Sequence, residues 1–349
     1  FQVEGGRDVG YRAVNTISAT RINTPILDIP LNIAVVTELL LEDLNAGFAT
    51  DAVNRFLPGI HSGGVDEGSL RMRGSNVISN MRNGFRVDSN TPALLTDRME
   101  VLKGPASVLY GISSPGGAAN IVTKRAQIGR DTYSLRGMVD NREGYRITAD
   151  ANLGKIFGDK VAVRLLGEDR QGGYIPLGGP TFPANVMTNI RDHLYNRTAA
   201  GLATLQPFPT TQVRYNYSRN TWHRPSGRGF YRLESSPAGS TSTQPIFLVP
   251  GQIVNPAIPW TLGSHGIGDV FTDRTHDWVL EQQVGPRFNL MAAVMKVDRE
   301  RDRWSPRDGR INANLGPQDP RPAVRFDFIE TFEHKKNMDA FLAASYKFA

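Results

Sequence analysis

The chain has 349 residues, 40% of them apolar, and its 40 Lys and Arg against 34 Asp and Glu give a net charge of +6. It contains no cysteine, which excludes a disulfide scaffold, thiolate zinc centres and cysteine nucleophiles. The longest unbroken apolar run is six residues, Leu290 to Met295, against the roughly 20 that a membrane-crossing helix needs.

The charge is unevenly spread. Residues 1–128 hold 12 basic and 12 acidic side chains, whereas residues 129–349 hold 28 and 22, so the whole excess lies in the second part. This asymmetry predicts two parts with different surroundings. The chain opens on Phe1 in mid-phrase, and the expectation is that a leader has been removed.

In chain order, residues 1–128 read as a compact α+β unit. Ile33 to Val36 predicts a short buried strand after Pro30, and Thr37 predicts the cap of a helix from Glu38 to about Leu44. Asp51 predicts the cap of a second short helix ending before Pro58-Gly59. Met99 to Leu102, Val108 to Tyr110 and Asn120 to Thr123 are short strand candidates. Between them, Gly104-Pro105, Tyr110-Gly111 and Pro115-Gly116-Gly117 break the apolar segments with sharp turns. Such a unit suits a small plug inside a tube, though any tight-turn β motif reads the same way.

From about residue 130 the texture changes to period two. Ile147, Ala149, Ala151 and Leu153 alternate with Arg146, Thr148, Asp150 and Asn152; Val161, Val163 and Leu165 repeat the pattern. Val213, Tyr215 and Tyr217 alternate with Arg214, Asn216 and Ser218, and Met338, Ala340, Leu342, Ala344, Tyr346 and Phe348 share one face near the end. Nine strands are predicted, near 131–139, 145–154, 160–171, 197–206, 211–222, 273–284, 287–300, 326–334 and 337–348. Water-soluble sandwiches also show period two, but here the connections alternate. Short links join the second and third, fourth and fifth, sixth and seventh, and eighth and ninth strands, while three of the other four, 172–196, 223–272 and 301–325, are long and only the first, 140–144, is brief. Tight turns at one end and long loops at the other are the layout of an outer-membrane barrel. Tyr145, Tyr174, Trp222, Trp304 and Tyr346, near strand ends, suit interfacial girdles, with scattered core aromatics as the plain alternative. Because every backbone group in lipid must be paired, an open sheet is incomplete, and a plugged transporter has about 22 strands. The fold class predicted is therefore an α+β plug domain, residues 1–128, followed by an incomplete antiparallel transmembrane β-barrel, residues 129–349, with about 9 of about 22 strands. The chain ending after an upward strand marks it as a fragment.

The stretch "MEVLKGPASVLYGISSPGGAANIVTKRA" (99–126) resembles the plug domain of TonB-dependent outer-membrane receptors, particularly those for ferric siderophores. "IPLNIAVVTELLLEDL", "VNRFLPGI" and "LRMRGSN…MRNGFRV" resemble other elements of that plug, and "LGKIFGDKVAVRLLGEDRQGGY" resembles two of its early barrel strands. The resemblance covers most of 25–222. One departure is Asn83, where the family carries Asp before the glycine. Phe1 to Glu4 stands where the end of an energy-coupling box is expected.

The resemblance implies import of a scarce ligand across the outer membrane, driven by the inner-membrane TonB complex, with no cofactor. It places plug apices at 61–68, 75–80 and 88–93, so that His61, Ser75, Asn76, Asn80, Asp88 and Asn90 are ligand candidates, with ordinary solvated turn residues as the alternative. Tyr174, Trp222, Arg224, Arg228, Tyr231 and Arg232 are loop candidates whose aromatic and cationic groups suit an anionic, partly aromatic iron chelate. The same arginines equally suit lipopolysaccharide phosphates. Arg73 and Lys103 match positions that pair with glutamates of the wall, and with those strands absent both charges are expected to be unpaired or solvated. Outer-membrane lipid and lipopolysaccharide are the other expected partners.

Enzyme readings find no support. The six histidines (61, 193, 223, 265, 276 and 334) lack metal-ligand spacing, and no nucleophile elbow, phosphate loop or dinucleotide fingerprint occurs. The basic excess carries no nucleic-acid recognition element. Import of a saccharide, cobalamin or another chelate, and a soluble β-rich binding or adhesion protein, remain the alternatives.

Overall fold

The computed structural model describes residues 11, 15–16, 24–26, 32–62, 70–72, 75–76, 78–87, 89–103, 117–141, 144–172, 195–225, 230–231, 246–249, 252–254, 260–261, 268–312 and 323–346. The first part contains β1 (Asn32–Thr37), α1 (Glu38–Asp43), α2 (Ala49–Phe56), β2 (Ile60–Ser62), β3 (Leu70–Met72), β4 (Ser75–Asn76), β5 (Ile78–Arg82), β6 (Phe85–Arg86), β7 (Thr96–Lys103) and β8 (Gly117–Thr123). One five-stranded sheet runs in the order β1-β7-β8-β5-β6, parallel only between β8 and β5, and β2-β3-β4 form a second, antiparallel sheet.

The core of this unit lies between the sheets and the two helices. Val36, Leu41, Val53, Ile60, Leu70, Met72, Met99, Val101 and Ile121 form its buried cluster. Helix α1 ends at Asn45, whose left-handed backbone (φ 48°) lets the Ala46 N–H return to the Leu41 carbonyl at 3.0 Å. The second helix corrects one expectation: Phe48, not Asp51, is its N-cap residue, and Asp51 lies inside the first turn. From there its carboxylate reaches back to accept from the Gly47 and Phe48 N–H groups at 3.0 and 2.9 Å. The expected strand at Val108 to Tyr110 and the turn residues Gly104, Pro105, Tyr110, Gly111, Pro115 and Gly116 lie outside the described residues. Gly117 opens β8 with φ 141°, and a Cβ there would stand 2.1 Å from the Leu102 carbonyl, so only glycine fits.

Among the described residues, the second part is dominated by one antiparallel sheet of eight strands paired in chain order: β9 (Thr132–Val139), β10 (Tyr145–Ile156), β11 (Val161–Gln171), β12 (Tyr195–Phe208), β13 (Thr211–Pro225), β14 (Gly268–Val284), β15 (Phe288–Asn312) and β16 (Ala323–Tyr346); two short pairings, 230–231 with 260–261 and 246–249 with 252–254, lie in the connection after β13. The nine strands expected become eight, because 326–334 and 337–348 are one continuous strand, and the short link expected between them does not exist. The polar stretch Glu333 to Asn337 resembles a turn in sequence, but it pairs in register with the charged stretch of β15, as Asp298↔Lys336 and Glu300↔His334. His334 Nε2 stands 2.5 Å from Asp298, and Arg301 lies 3.7 Å from Glu333. The side-chain alternation also passes through this stretch without a break. With eight strands the last one descends toward the tight-turn end, not upward as expected. The remaining connections keep the predicted asymmetry, with short links at 157–160, 209–210 and 285–287.

Burial in this sheet is inverted relative to a soluble protein. The polar positions Asn152, Arg164, Glu168, Asn196, Thr198, Arg214, Asn216, Asp273 and Asp277 are buried against the first unit. The apolar positions on the opposite face are exposed, among them Leu135, Ile147, Leu165, Leu280, Met338 and, at 74%, Leu342. Across the strands the outward residues form level rows. Val213, Leu280, Ala292 and Leu342 make one, and Tyr215, Trp278, Val294 and Ala340 the next toward the loop end. The following row, Tyr217, His276, Lys296 and Met338, starts the transition to charge, completed by Arg219, Arg274, Asp298 and Lys336. An apolar band bounded by an aromatic and then a charged row is the outer surface of a lipid-embedded wall.

Placing Arg at Leu280, inside the band, is expected to cost about 2–4 kcal/mol of folding free energy in lipid, against about 0–1 kcal/mol for Met338→Arg in the transition row. Denaturant titration of the full-length protein refolded into vesicles checks this; equal costs at both positions would contradict the band.

Candidate functional site

The candidate site of the described chain is the junction between the first unit and the inner face of the wall. It has three regions. The first follows β8. Lys124 stands 2.6 Å from Glu38 of α1 and 3.4 Å from Asp150 of β10, and Arg164 of β11 grips the same Asp150 through two hydrogen bonds of 2.8 and 2.6 Å. Arg164 also donates to the Arg125 carbonyl at 3.2 Å, and Thr204 donates to the Ala126 carbonyl at 2.8 Å. The Asn152 side chain imitates a strand partner: its Oδ1 accepts the Gln127 N–H at 2.8 Å and its Nδ2 donates to the Gln127 carbonyl at 2.9 Å. Leu94, Leu95 and Ala126 pack beside these bonds on Ala162, Leu166, Ala200 and Leu202.

The second region is the link between α1 and α2. Arg146 of β10 donates to Asn45 Oδ1 at 2.9 Å and to the Ala46 carbonyl at 3.0 Å, while its other nitrogens hold the buried Glu168 at 2.6 and 2.8 Å. Phe48 meets Trp222 edge-on with ring centres 5.6 Å apart, and Trp222 stacks on Phe271 at 4.2 Å.

The third region is the hairpin between β5 and β6. Asn83 and Gly84 both have positive φ, 51° and 84°, the geometry of an Asn-Gly hairpin turn whose twist matches the strands. Asn83 Nδ2 donates to Asp277 of β14 at 2.8 Å, and Arg82 donates to Ser218 of β13 at 3.1 Å. Burial pulls the Arg82 guanidinium below the ordinary arginine range, and the nearby Asp277 and Asp273 oppose that pull. Phe85 packs on Phe341 with centres 4.8 Å apart. Asn83, the departure from the family's Asp, is thus matched by a wall that supplies the carboxylate itself.

Beside this hairpin a shallow cleft of only about 10 Å³, open to solvent, lies between plug and wall, lined by Arg86, Val87, Ser89, Val297, Arg299, Lys335 and Asn337. Arg299 is held by Asp273 at 2.7 Å; Arg86 and Lys335 are exposed. The cleft therefore presents two free cationic arms and two neutral hydrogen-bonding groups.

The structure scatters the residues selected from sequence. His61 lies in β2, Ser75 and Asn76 in β4, Asn80 in β5 and Arg224 in β13, and Tyr231 lies in a two-residue strand, 230–231. Asp88, Tyr174, Arg228, Arg232 and Arg73 fall outside the described residues. Asn90 is buried. Trp222 corrects the girdle expectation: it faces inward, 4% exposed, because its position shares the parity of Ser218 and Asn220 rather than that of Tyr217. Lys103 finds a partner within the plug, donating to the Pro58 carbonyl at 3.3 Å, and among the described residues no carboxylate pairs with it. Sequence reasoning missed Asn83, Lys124, Arg146, Asn152, Arg164 and Asp277 as contact residues. For Arg146, Asn152, Arg164 and Asp277 the signal was present as the polar half of each period-two strand, but nothing in the alternation says which polar residue meets the plug; Asn83 and Lys124 lie in the first unit, where no such pattern marks them. Among the described residues no group of three or more His, Asp or Glu side chains is placed to hold a metal.

Residues 25–118 match the family described as TonB-dependent Receptor Plug Domain. The metal-pseudopaline receptor CntO of Pseudomonas aeruginosa is 39% identical over 156 residues, covering 41% of this chain and 21% of that protein. The ferric-pyoverdine 358 receptor of Pseudomonas putida is 24% identical over 353 residues, covering 97% of this chain and 39% of that protein. Among solved structures, BauA, the ferric preacinetobactin receptor of Acinetobacter baumannii, superimposes with a TM-score of 0.68 at 19% identity over 95% of this chain and 46% of its own. The chain thus spans less than half the length of each of these relatives. Residues 25–118 are a TonB-dependent receptor plug domain, and the whole chain has the fold of such a receptor's plug and part of its wall.

Asn152→Leu removes both bonds to Gln127 from a buried site and is expected to lower stability by about 2–3 kcal/mol. Heat-dependent mobility of the folded protein on gels checks this; an unchanged transition would show that the Gln127 bonds do not hold the plug.

Proposed function

We propose that residues 1–128 are the plug and residues 129–349 the first part of the barrel of an outer-membrane receptor for TonB-coupled uptake of a scarce ligand, a ferric siderophore. The observation that carries this reading is a plug domain seated on the polar face of an inverted sheet. A polar lumen corked by a separate unit blocks passive flow, so passage requires the plug to rearrange. The polar contacts that seat the plug are bonds water can replace, which makes such rearrangement feasible. The work comes from the inner membrane through the N-terminal side of the plug, and the chain's own residues provide binding and closure, not catalysis.

The ligand class follows from the cleft and from the relatives, whose names specify ferric or metal chelates. Arg86 and Lys335 reach toward the same opening from plug and wall, where an anionic chelate would bridge them. His61, Ser75, Asn76, Asn80, Asp88, Asn90, Tyr174, Arg224, Arg228, Tyr231 and Arg232, selected from the sequence, are the further residues proposed to bind ligand. Trp222 enters that set only if Phe48 first withdraws. On the outside, Arg219, Lys296 and Lys336 stand just beyond the apolar band and suit lipopolysaccharide phosphates.

Replacing Arg86 and Lys335 together by Ala is expected to weaken binding of an anionic ferric siderophore by roughly tenfold or more, since each charge-assisted bond contributes on the order of 1.5–3 kcal/mol. Radioactive-iron uptake and equilibrium binding on the full-length protein, expressed under iron limitation, check this. Induction by a sugar with no response to iron would favour saccharide import, and recovery of the folded protein from the aqueous fraction without detergent would favour an adhesion protein.

A further inference from the structure

We infer that the Asn83 turn is the releasable latch of the plug on the wall, whereas residues 124–127 form a permanent anchor. This rests on reading residues 1–128 as a plug and is independent of the ligand.

The two ends of the junction are built differently. At the anchor, the Asp150 carboxylate is fully engaged, accepting twice from Arg164 and once from Lys124, and several backbone groups of the linker are bonded to wall side chains. The linker then continues covalently into β9, so this end stays attached whatever the plug does. At the hairpin, Asp277 is 0% exposed, yet among the described residues its Oδ2 accepts a single hydrogen bond, from Asn83, and its Oδ1 has none. Arg82, also buried, spends one nitrogen on Ser218, and its Nε has no partner. A buried carboxylate satisfied by one amide and by the nearby charges of Arg82 and Arg214 is held, but far from its best solvation. When the turn lifts away, water reaches both Asp277 and Arg82 and recovers much of what the lost bonds contributed. The polar part of the joint, as distinct from the Phe85 and Val87 packing beside it, therefore closes specifically and opens at modest cost.

Asn83 is shaped for this position. Its backbone N–H donates to the Ile121 carbonyl at 2.9 Å, its Oδ1 accepts the Thr123 N–H at 3.0 Å, and one amide proton goes to Thr123 Oγ1 at 2.8 Å. These plug contacts fix the side chain so that its second amide proton points out at Asp277. An aspartate at 83 would keep the Oδ1 contact and the turn, but would set a carboxylate against a carboxylate.

The test reads plug attachment, not transport. Val87, buried against Val279 and Met295 of the wall, is replaced by Cys in the full-length protein, and its labelling by a hydrophilic maleimide is timed in isolated outer membranes, with the Val87 parent as the blank. Labelling is expected to be slow in Val87→Cys alone, about tenfold faster when Asn83→Asp is added, and slow again when Asp277→Asn is also added, because the amide introduced at 277 donates to the carboxylate introduced at 83. Asp277→Asn alone should not speed labelling. Unchanged labelling with Asn83→Asp overturns the latch. Faster labelling that Asp277→Asn fails to restore assigns the effect to the turn itself and also overturns it. Fast labelling in Val87→Cys alone shows that the plug is not seated, which overturns the plug reading instead.

Discussion

A sheet with one buried polar face and one exposed apolar face has no stable place in water. Left there, it would expose the outward rows from Leu280 to Leu342 and bury carboxylates such as Glu168 and Asp277 for no gain. Between lipid and a polar interior the same sheet is stable, since the hydrocarbon covers the apolar rows and the polar side is met by bonds from a second unit. Every other feature of the molecule follows from that inversion. It requires something polar inside, and the plug with its ring of Asn, Arg and Lys contacts provides it.

The plug is attached by groups of unequal strength. Its C-terminal exit is gripped by Asp150, Asn152 and Arg164, its helix link by Arg146 and the Trp222 stack, and its hairpin by the sparse Asn83 and Arg82 contacts. Hydrogen bonds share these joints with apolar patches, in which Leu94, Leu95, Phe85 and Val87 pack on the wall. Under the proposed function, a unit that leaves and returns would be well served by such an interface, because water substitutes for its partners at little cost. An oily interface of the same size would bind the plug more permanently.

Much of this was legible in the sequence. The period-two alternation gave the wall, its faces and most of its strand limits, because side-chain parity in a strand is fixed by backbone geometry. The glycine-broken stretch around residues 104–117 pointed to the plug by resemblance. What failed was the polar run at 333–337, where composition suggested a turn; charged residues on β15 that sequence distance hides made it a strand. Trp222 failed for a related reason, since residue type suggested an interfacial ring while parity placed it inside. The contact residues of the junction stayed illegible because each depends on a partner about 14 to 200 positions away, as Arg164 does on Asp150 and Asn83 on Asp277.

Trp222 and Trp278 face each other's strands from opposite sides of the wall, 4% and 41% exposed. Fluorescence of variants keeping one or the other as sole tryptophan, reconstituted in lipids brominated along their tails, tests the inversion directly. The account requires strong quenching of Trp278 and little of Trp222. Equal quenching of both, or quenching of Trp222 alone, would contradict it.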